Sequence, residues 1–454
     1  MTGVSNPDDQ PAHKVIIKRM SIKNFKSLKD FNIDLRKFNL IVGPNGSGKT
    51  NVIEALILFK GIYSPTAQSV NPFLRWWGYK NVVWNGKEDL PITLGLDMRA
   101  WGYDVYFEVT ITGTGGKFEI LREVLEVKEI LRIEREGDIV KVVHNPSFIK
   151  QKLSGEMQLR TEIPEEVQSV RIDPSKAIGQ PFGIRGWSAT YIRDVAIMTL
   201  YMPCINGEKR IRLLSPAATV LGEVVDRTGK VKVERRITPL ISEITDFVRF
   251  SKFVIIRQIN FKEIRTPQPI KMENLLNEDC SNLSNVFHTW ILRKGKIDRI
   301  WALLESIFEE EIIPKPELTT DGRIYTRILE RGRELEPPQV PDGLWKILAI
   351  ELAIESKPHL LVIDELENSL HPKAIEYVVE ELRRADCPVI ATTHSPAVVD
   401  CVEPEELVLL SKNEMGATIP SRIMEPEHVK EWLSKHGLTM SEGWLYRWED
   451  TKGH

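Results

Sequence analysis

Residues Gly43-Pro44-Asn45-Gly46-Ser47-Gly48-Lys49-Thr50 follow the spacing GxxxxGK[ST] in full, and each position in that spacing has a chemical purpose. The glycines let successive backbone N–H groups turn inward around a polyphosphate, and a helix beginning near Gly48 adds the positive end of its dipole. Lys49 would neutralise the β- and γ-phosphates, the Thr50 hydroxyl would ligate Mg²⁺, and Asn51 is counted with the loop as a nucleotide-binding residue. A second signal lies far downstream. Leu360-Leu361-Val362-Ile363 is an apolar run that delivers Asp364 and Glu365 at its end, where open α/β sheets place their ligands. Asp364 suits a metal shell, and Glu365 suits the polarisation of an attacking water. His394, in Thr392-Thr393-His394-Ser395-Pro396, follows the next apolar run and can report a terminal phosphate through its neutral-to-charged range. Lys49 and Asp364 are 315 residues apart (364 minus 49), so only folding can bring these groups together.

The elements that must do so are partly legible. Phe38-Asn39-Leu40-Ile41-Val42 is nearly all apolar, as a strand buried on both faces must be, and it runs straight into the glycine-rich loop. Val52, Ile53, Leu56 and Phe59 then recur at the spacing of a buried helical face over 51–59. Short strands are predicted at 15–17, 20–22 and 31–35. Val82-Val83-Trp84, Ile92-Thr93-Leu94, Val105 to Thr110 and Val140 to Val143 predict an antiparallel layer flanking the first sheet. Residues 281–310 read as two helices on Ile297, Ile300, Trp301, Leu304 and Ile307. From Leu344, a helix to Glu355, a strand at 359–363, a helix at 372–385 and strands at 388–392 and 407–411 alternate as in a largely parallel sheet. This is an α/β chain in four segments: a flexible tail at 1–13, a first lobe with the phosphate loop and antiparallel strands at 14–145, a mixed insertion with a helical lobe at 146–335, and a second lobe at 336–454.

A chain of 454 residues and 52.0 kDa is larger than one hydrophobic core usually serves, which fits two lobes. Hydrophobic and charged fractions of 42% and 28% exclude a disordered chain. With 61 basic against 64 acidic side chains, no global positive field draws nucleic acid, so any DNA contact must come from a local patch. Cys204, Cys280, Cys387 and Cys401 show no CxxC pair and no companion histidines, which argues against structural zinc or a disulfide scaffold and fits a reducing cytoplasm. The first fourteen residues are polar and no apolar run reaches eighteen residues, so a soluble cytoplasmic protein without a membrane partner is expected.

In this order the motifs resemble the ABC-type ATPases of the RecF, SMC and OLD group, and within it the compact AAA-family ATPases of anti-phage defence. The resemblance is concentrated at 18–60, where Ile22-Lys23-Asn24-Phe25-Lys26-Ser27 leads into the phosphate loop, and at 339–411. It implies an ABC-ATPase head: a mixed or parallel sheet around the phosphate loop, an antiparallel β layer and a helical lobe, with ATP and Mg²⁺ as ligands. It further implies that Asp364-Glu365 is the Walker B end, that Glu367-Asn368-Ser369-Leu370-His371-Pro372 is the D-loop region, and that His394 is the switch histidine. Such heads form a homodimer or higher homo-oligomer, closed head to tail, in which a signature loop completes the partner's ATP site. The matching stretch is Gln339-Val340-Pro341-Asp342-Gly343-Leu344-Trp345-Lys346. Pro341 stands where the phosphate-touching serine is expected, whereas Asp342-Gly343 and the following helix are retained. The Gly343 N–H and the helix N-terminus would then meet the phosphate, and slow turnover is expected.

The 315-residue separation holds no sustained heptads, which excludes the long coiled-coil arm of SMC proteins. Sixty residues after His394 are too few for the TOPRIM nuclease domain of OLD proteins. The stretch His436-Gly437-Leu438-Thr439-Met440-Ser441-Glu442-Gly443-Trp444 resembles the tail of defence ATPases whose nuclease is a separate polypeptide. The resemblance therefore implies an ATP-gated sensor or scaffold with a separately encoded effector; a RecF-like ATP-dependent DNA clamp is the alternative. A transporter motor is disfavoured by the long strand-rich insertion, and a GTPase by the lack of an Asn-Lys-x-Asp motif. Phe73-Leu74-Arg75-Trp76-Trp77-Gly78-Tyr79-Lys80 has the composition of a single-strand stacking platform, although burial is the simpler reading. Lys14, Lys18, Arg19, Lys23, Lys26 and Lys29 make the first strands basic, which reads mainly as a solvated strand face.

Overall fold

Strands form at the N-terminus because apolar residues alternate there, and the alternation survives an interruption. In β1 (Val15–Phe25), Val15 and Ile17 point inward, a bulge between Ile17 and Arg19 puts Lys18 and Arg19 both outside, and Met20, Ile22 and Phe25 return to the core. β2 (Leu28–Asp34) and β3 (Phe38–Val42) follow, then helix α1 (Lys49–Tyr63). The computed structural model describes residues 15–63, 71–100, 103–128, 131–136, 139–144, 252–294, 298–423 and 425–445, and strands at 166–171, 201–203, 210–213, 222–225 and 231–233. The predicted tail 1–13 and Ile297 fall outside these residues. By contacts the chain divides into two compact units, residues 1–34 with 54–251, and residues 35–53 with 252–454.

In the first unit β1 and β2 join β4 (Ile92–Ala100), β5 (Tyr103–Thr112), β6 (Glu119–Val127), β7 (Leu131–Glu136), β8 (Ile139–His144) and β9 (Glu166–Arg171) in an antiparallel sheet of order β2-β1-β4-β5-β6-β7-β8-β9. A smaller antiparallel sheet contains β10 (Tyr201–Pro203), β11 (Arg210–Leu213), β12 (Gly222–Val225) and β13 (Val231–Val233). Phe59, in the later part of α1, stacks on Phe107 of β5 with ring centroids 5.8 Å apart. The strand predicted at Val82-Val83-Trp84 is instead a pair of 3₁₀ turns, 79–81 and 84–86, with one bridge from Val83 to Phe25. Asn85 and Gly86 adopt left-handed conformations (φ 52° and 66°) that reverse the chain before a ladder can extend.

The second unit is built on β3, β14 (Phe253–Ile256), β19 (Leu360–Ile363), β20 (Val389–Thr392), β21 (Leu407–Lys412) and β22 (Thr418–Arg422), in the order β14-β19-β20-β3-β21-β22. All pairings but β21–β22 are parallel. A side sheet holds β15 (Gln268–Pro269), β16 (Ile312–Leu318), β17 (Arg323–Glu330) and β18 (Arg333–Leu335). The helices are α2 (Phe261–Ile264), α3 (Leu283–Lys294), α4 (Asp298–Phe308), α5 (Asp342–Glu355), α6 (Pro372–Arg384), α7 (Pro396–Val399), α8 (Pro426–His436) and α9 (Met440–Leu445). Val254 and Ile256 of β14, Leu361 and Ile363 of β19, and Val389 and Ala391 of β20 share one core with Leu344, Trp345, Leu348 and Leu352 of α5. Buried Asn39 in β3 is tolerated because its amide donates to the carbonyls of Arg36 (2.7 Å) and Val389 (3.0 Å). The fold is thus α/β, with a mainly parallel sheet, an antiparallel layer and a helical portion. Among the described residues no helix is long and apolar enough to cross a membrane. Cys280 and Cys387 are buried and Cys401 is half-buried; Cys204 lies outside the described residues.

One buried group opposes the fold. Glu351 of α5 is fully buried and neither carboxylate oxygen has a hydrogen-bond partner. Burial pushes its carboxyl from an ordinary value near 4.5 up to about 8, with Glu381 adding to the rise and Arg299 opposing it. The unfolded chain releases this proton above about 4.5 while the folded chain keeps it until about 8, so the associated stability is full below that window and is lost as pH rises through it. Glu351→Met is therefore expected to raise the melting temperature by the equivalent of a few kcal/mol, on the order of 2–4, at pH 8 and by much less at pH 5. Differential scanning fluorimetry at the two pH values measures this; an equal shift at both would show that ionisation is not the cause.

Candidate active site

Three of the parallel strands end in loops on one edge of the sheet. β3 gives way to Gly43–Gly48, and β20, its neighbour, to Thr393-His394; β19, one strand further, gives way to Asp364-Glu365. Gly46 and Gly48 take φ of 77° and 112°, a region that side chains resist, and a Cβ on Gly43 would lie 2.5 Å from the Leu410 carbonyl. Thr418 donates to the Ser47 carbonyl at 2.7 Å and fastens the loop from β22. The crest Pro44-Asn45-Gly46 and Thr50 are exposed, Asn51 is half-buried, and Ser47 and Lys49 are buried. The Lys49 ammonium folds back onto its own loop, donating to the carbonyls of Gly43 (2.7 Å) and Pro44 (3.2 Å). Burial lowers its pKa, against the pull of Asp364, Glu367 and Glu365. The Ser47 hydroxyl is buried without a partner. A glycine-rich loop with left-handed turns, a buried cation parked on weak acceptors and an orphaned hydroxyl fit a polyphosphate.

Asp364 is held from three sides. Its N–H donates to the Ile256 carbonyl (2.9 Å), its Oδ1 accepts from Thr392 Oγ1 (2.7 Å), and Arg257 Nε lies 3.4 Å from its Oδ2. Glu365 has φ 49°, a left-handed conformation that costs a non-glycine residue about 1–2 kcal/mol, so its neighbours must fix it. Its N–H donates to the same Thr392 hydroxyl (2.9 Å), its carbonyl accepts from Lys346 Nζ (2.9 Å), and its Oε2 accepts from Asn368 (2.5 Å). Glu367 accepts from Thr393 Oγ1 (2.8 Å) and from the His394 N–H (2.7 Å), leaving the His394 ring exposed at the edge. The arrangement can bind phosphates on one loop, hold a cation at Thr50 and Asp364, and set Glu365 to take a proton from water.

Asp342 and Gly343 make other contacts. Pro341 occupies the N-cap of α5 and supplies no side-chain bond to it, while Arg265 Nη2 donates to the Val340 carbonyl (2.9 Å) and to Asp342 Oδ1 (2.5 Å). A Cβ on Gly343 would lie 2.7 Å from the Ser369 carbonyl, so this loop abuts the Glu367–Pro372 segment of its own chain. Thr392, Lys346 and Arg257 were not assigned roles from the sequence. Thr392 carries a weak signal, a polar residue closing an apolar strand; the other two carry none, because Arg257 arrives through strand order and Lys346 from a helix, α5, that reaches the end of β19. The same order brings out Gln258 beside Arg257 at the edge next to Asp364, a glutamine that sequence alone gives no means of placing.

The basic residues of the first unit are largely answered. Lys18 pairs with Asp104 (2.6 Å), Arg19 with Asp34 (2.6 Å) and Lys26 with Glu54. The aromatic stretch is buried only in part: Phe73 and Tyr79 are inside, Trp76 is half-buried, and Trp77 is 91% exposed.

A phosphate cradle after one parallel strand and an acid pair after another, locked by the threonine of the strand between them, define an ATPase head of the ABC type. Residues 16–96 match the family described as AAA ATPase domain, and residues 233–400 the family described as AAA domain, putative AbiEii toxin, Type IV TA system. Over 422 residues the chain is 21% identical to the OLD nuclease of Thermus scotoductus, an alignment that covers 91% of this chain and 65% of that protein. Over 43 residues it is 49% identical to the DNA replication and repair protein RecF of Vibrio campbellii, 9% of this chain and 12% of that one. The solved SMC head domain from Thermotoga maritima aligns with 90% of this chain and 99% of its own at 14% identity and a TM-score of 0.40. The chain spans less than two thirds of either sequence relative. Both family matches are to AAA domains, and the chain resembles the ATPases of the RecF/SMC/OLD group.

Proposed function

We propose that the protein is an ATP-gated sensor and scaffold of anti-phage defence that acts with a separately encoded effector nuclease or toxin. ATP binds on Gly43 to Asn51, and Lys49 exchanges the Gly43 and Pro44 carbonyls for the β- and γ-phosphates. Thr50 and Asp364 would hold Mg²⁺, which when bound neutralises charge building on the phosphates. Glu365 then accepts a proton from the attacking water, with His394 beside the terminal phosphate. The Asp342-Gly343 loop of a second copy, backed by the positive end of its α5, closes the site head to tail. The observation that carries a sensor over a motor is Pro341: the loop that meets the second nucleotide offers no hydroxyl ahead of α5, which favours a long-lived closed state. The match to a family described as putative AbiEii toxin supports the defence context.

The test is steady-state ATP hydrolysis with and without duplex DNA, joined to phage challenge of cells carrying the gene with its genomic neighbours. Slow hydrolysis indifferent to DNA, with resistance that Lys49→Ala abolishes, is the expected result; resistance surviving that change would sink the role. A second reading, a RecF-like ATP-dependent DNA clamp, draws on the RecF match and on the exposed Trp77, flanked by exposed Arg75 and Lys80. It requires DNA stimulation of hydrolysis and ATP-dependent duplex binding that weakens steeply with salt.

A further inference from the structure

Lys346 is 3% exposed, and a lysine is almost never buried so deeply unless something holds its charge. It lies on the first turn of α5, four residues after Asp342, and its ammonium donates to the Glu365 carbonyl at 2.9 Å. Around it stand Glu367, Glu365, Asp364 and the buried thiol of Cys280, and burial still lowers its pKa to about 8. This carbonyl belongs to the one residue of the acid pair that is held left-handed. The backbone angles at Glu365 set the direction of its Cα–Cβ bond, so the contact that fixes its carbonyl also fixes where its carboxylate points. At the other end of the same helical turn, Gly343 sits against the Ser369 carbonyl with no room for a methyl group. Gly343 and Lys346 are three residues apart, a helical rise of about 4.5 Å, too short and stiff a distance to absorb movement between the two contacts.

Resting on the head-to-tail reading, we propose that Lys346 is a positioning residue that couples the Pro341–Gly343 loop to the hydrolytic base. Closure of that loop on a second copy's nucleotide displaces the start of α5, and Lys346 carries the displacement to the Glu365 carbonyl and so to its carboxylate. The occupancy of one ATP site thereby sets the hydrolytic geometry of the other.

Lys346→Met removes the donor at nearly constant length, and Lys346→Arg restores one. The expected result for Lys346→Met is a kcat lowered by up to about 100-fold, the scale of an ångström's misplacement, with KM and the affinity for a fluorescent ATP analogue unchanged and kcat largely recovered in Lys346→Arg. Should Lys346→Met not fold, Lys346→Gln, with a shorter donor, is read in the same way. Dimerisation with ATP is measured in parallel by gel filtration on Glu365→Gln and on the Lys346→Met/Glu365→Gln pair. A Glu365→Gln chain that stays monomeric overturns the head-to-tail reading and the coupling with it. Normal dimers combined with wild-type turnover in Lys346→Met, or KM and binding failing in step with kcat, overturn the coupling alone.

Discussion

With Lys49 replaced by alanine, ATP hydrolysis is expected to fall to background and ATP affinity to drop by about 10²–10³-fold, the equivalent of roughly 3–4 kcal/mol for a lost charge-assisted contact. Burial already works against the charge of this ammonium, whose acceptors, the Gly43 and Pro44 carbonyls, are neutral. Two phosphate groups are far better partners, so the exchange favours binding strongly. The alanine variant also loses the bonds that brace the loop against Gly43 and Pro44. Titration calorimetry with ATP gives the affinity directly, and a melting curve separates a collapsed loop from an unfolded protein. Retention of wild-type affinity would mean that phosphates lie elsewhere.

Glu365→Gln should separate binding from chemistry. Glutamine keeps an oxygen for Asn368 and leaves the backbone contacts to Thr392 and Lys346 in place, but it cannot take a proton. Turnover is expected to fall by about 10²–10⁴-fold, the usual worth of a general base, while ATP binding persists. The ATP-bound dimer should then accumulate and be seen by gel filtration or light scattering. Wild-type hydrolysis in this variant would assign the base to another residue.

The parts of the site that sequence displayed are those whose meaning is local. Eight consecutive residues suffice for a phosphate loop, and the apolar runs before Gly43 and Asp364 announce strands buried on both faces; α1 begins at Lys49, two residues before the apolar periodicity that predicts it. Alternating helices and strands foretold a parallel sheet but not that β20 lies between β3 and β19, and that placement is what makes Thr392 the link between Asp364 and Glu365. Arg257 depends on order in the same way, and Lys346 on how α5 packs against the end of β19. At Val82–Trp84, β-branched and aromatic residues signalled a strand, and the left-handed pair Asn85-Gly86 prevailed. At Trp77, composition suggested burial, yet Phe73 and Tyr79 alone fill the core there.

The strand that leads into the phosphate loop pairs on one side with β20 and on the other with β21: Asn39 bonds to Val389, 350 residues later, and Leu40 lies opposite Leu407. During synthesis β3 leaves the ribosome 350 residues ahead of the partner strand β20. Until then it is an unpaired, nearly all-apolar strand, the kind of segment on which aggregation starts. ATP binding competence therefore waits for β20 and β21, and a ribosome that stalls between β3 and β20 releases a product that cannot hold nucleotide at all.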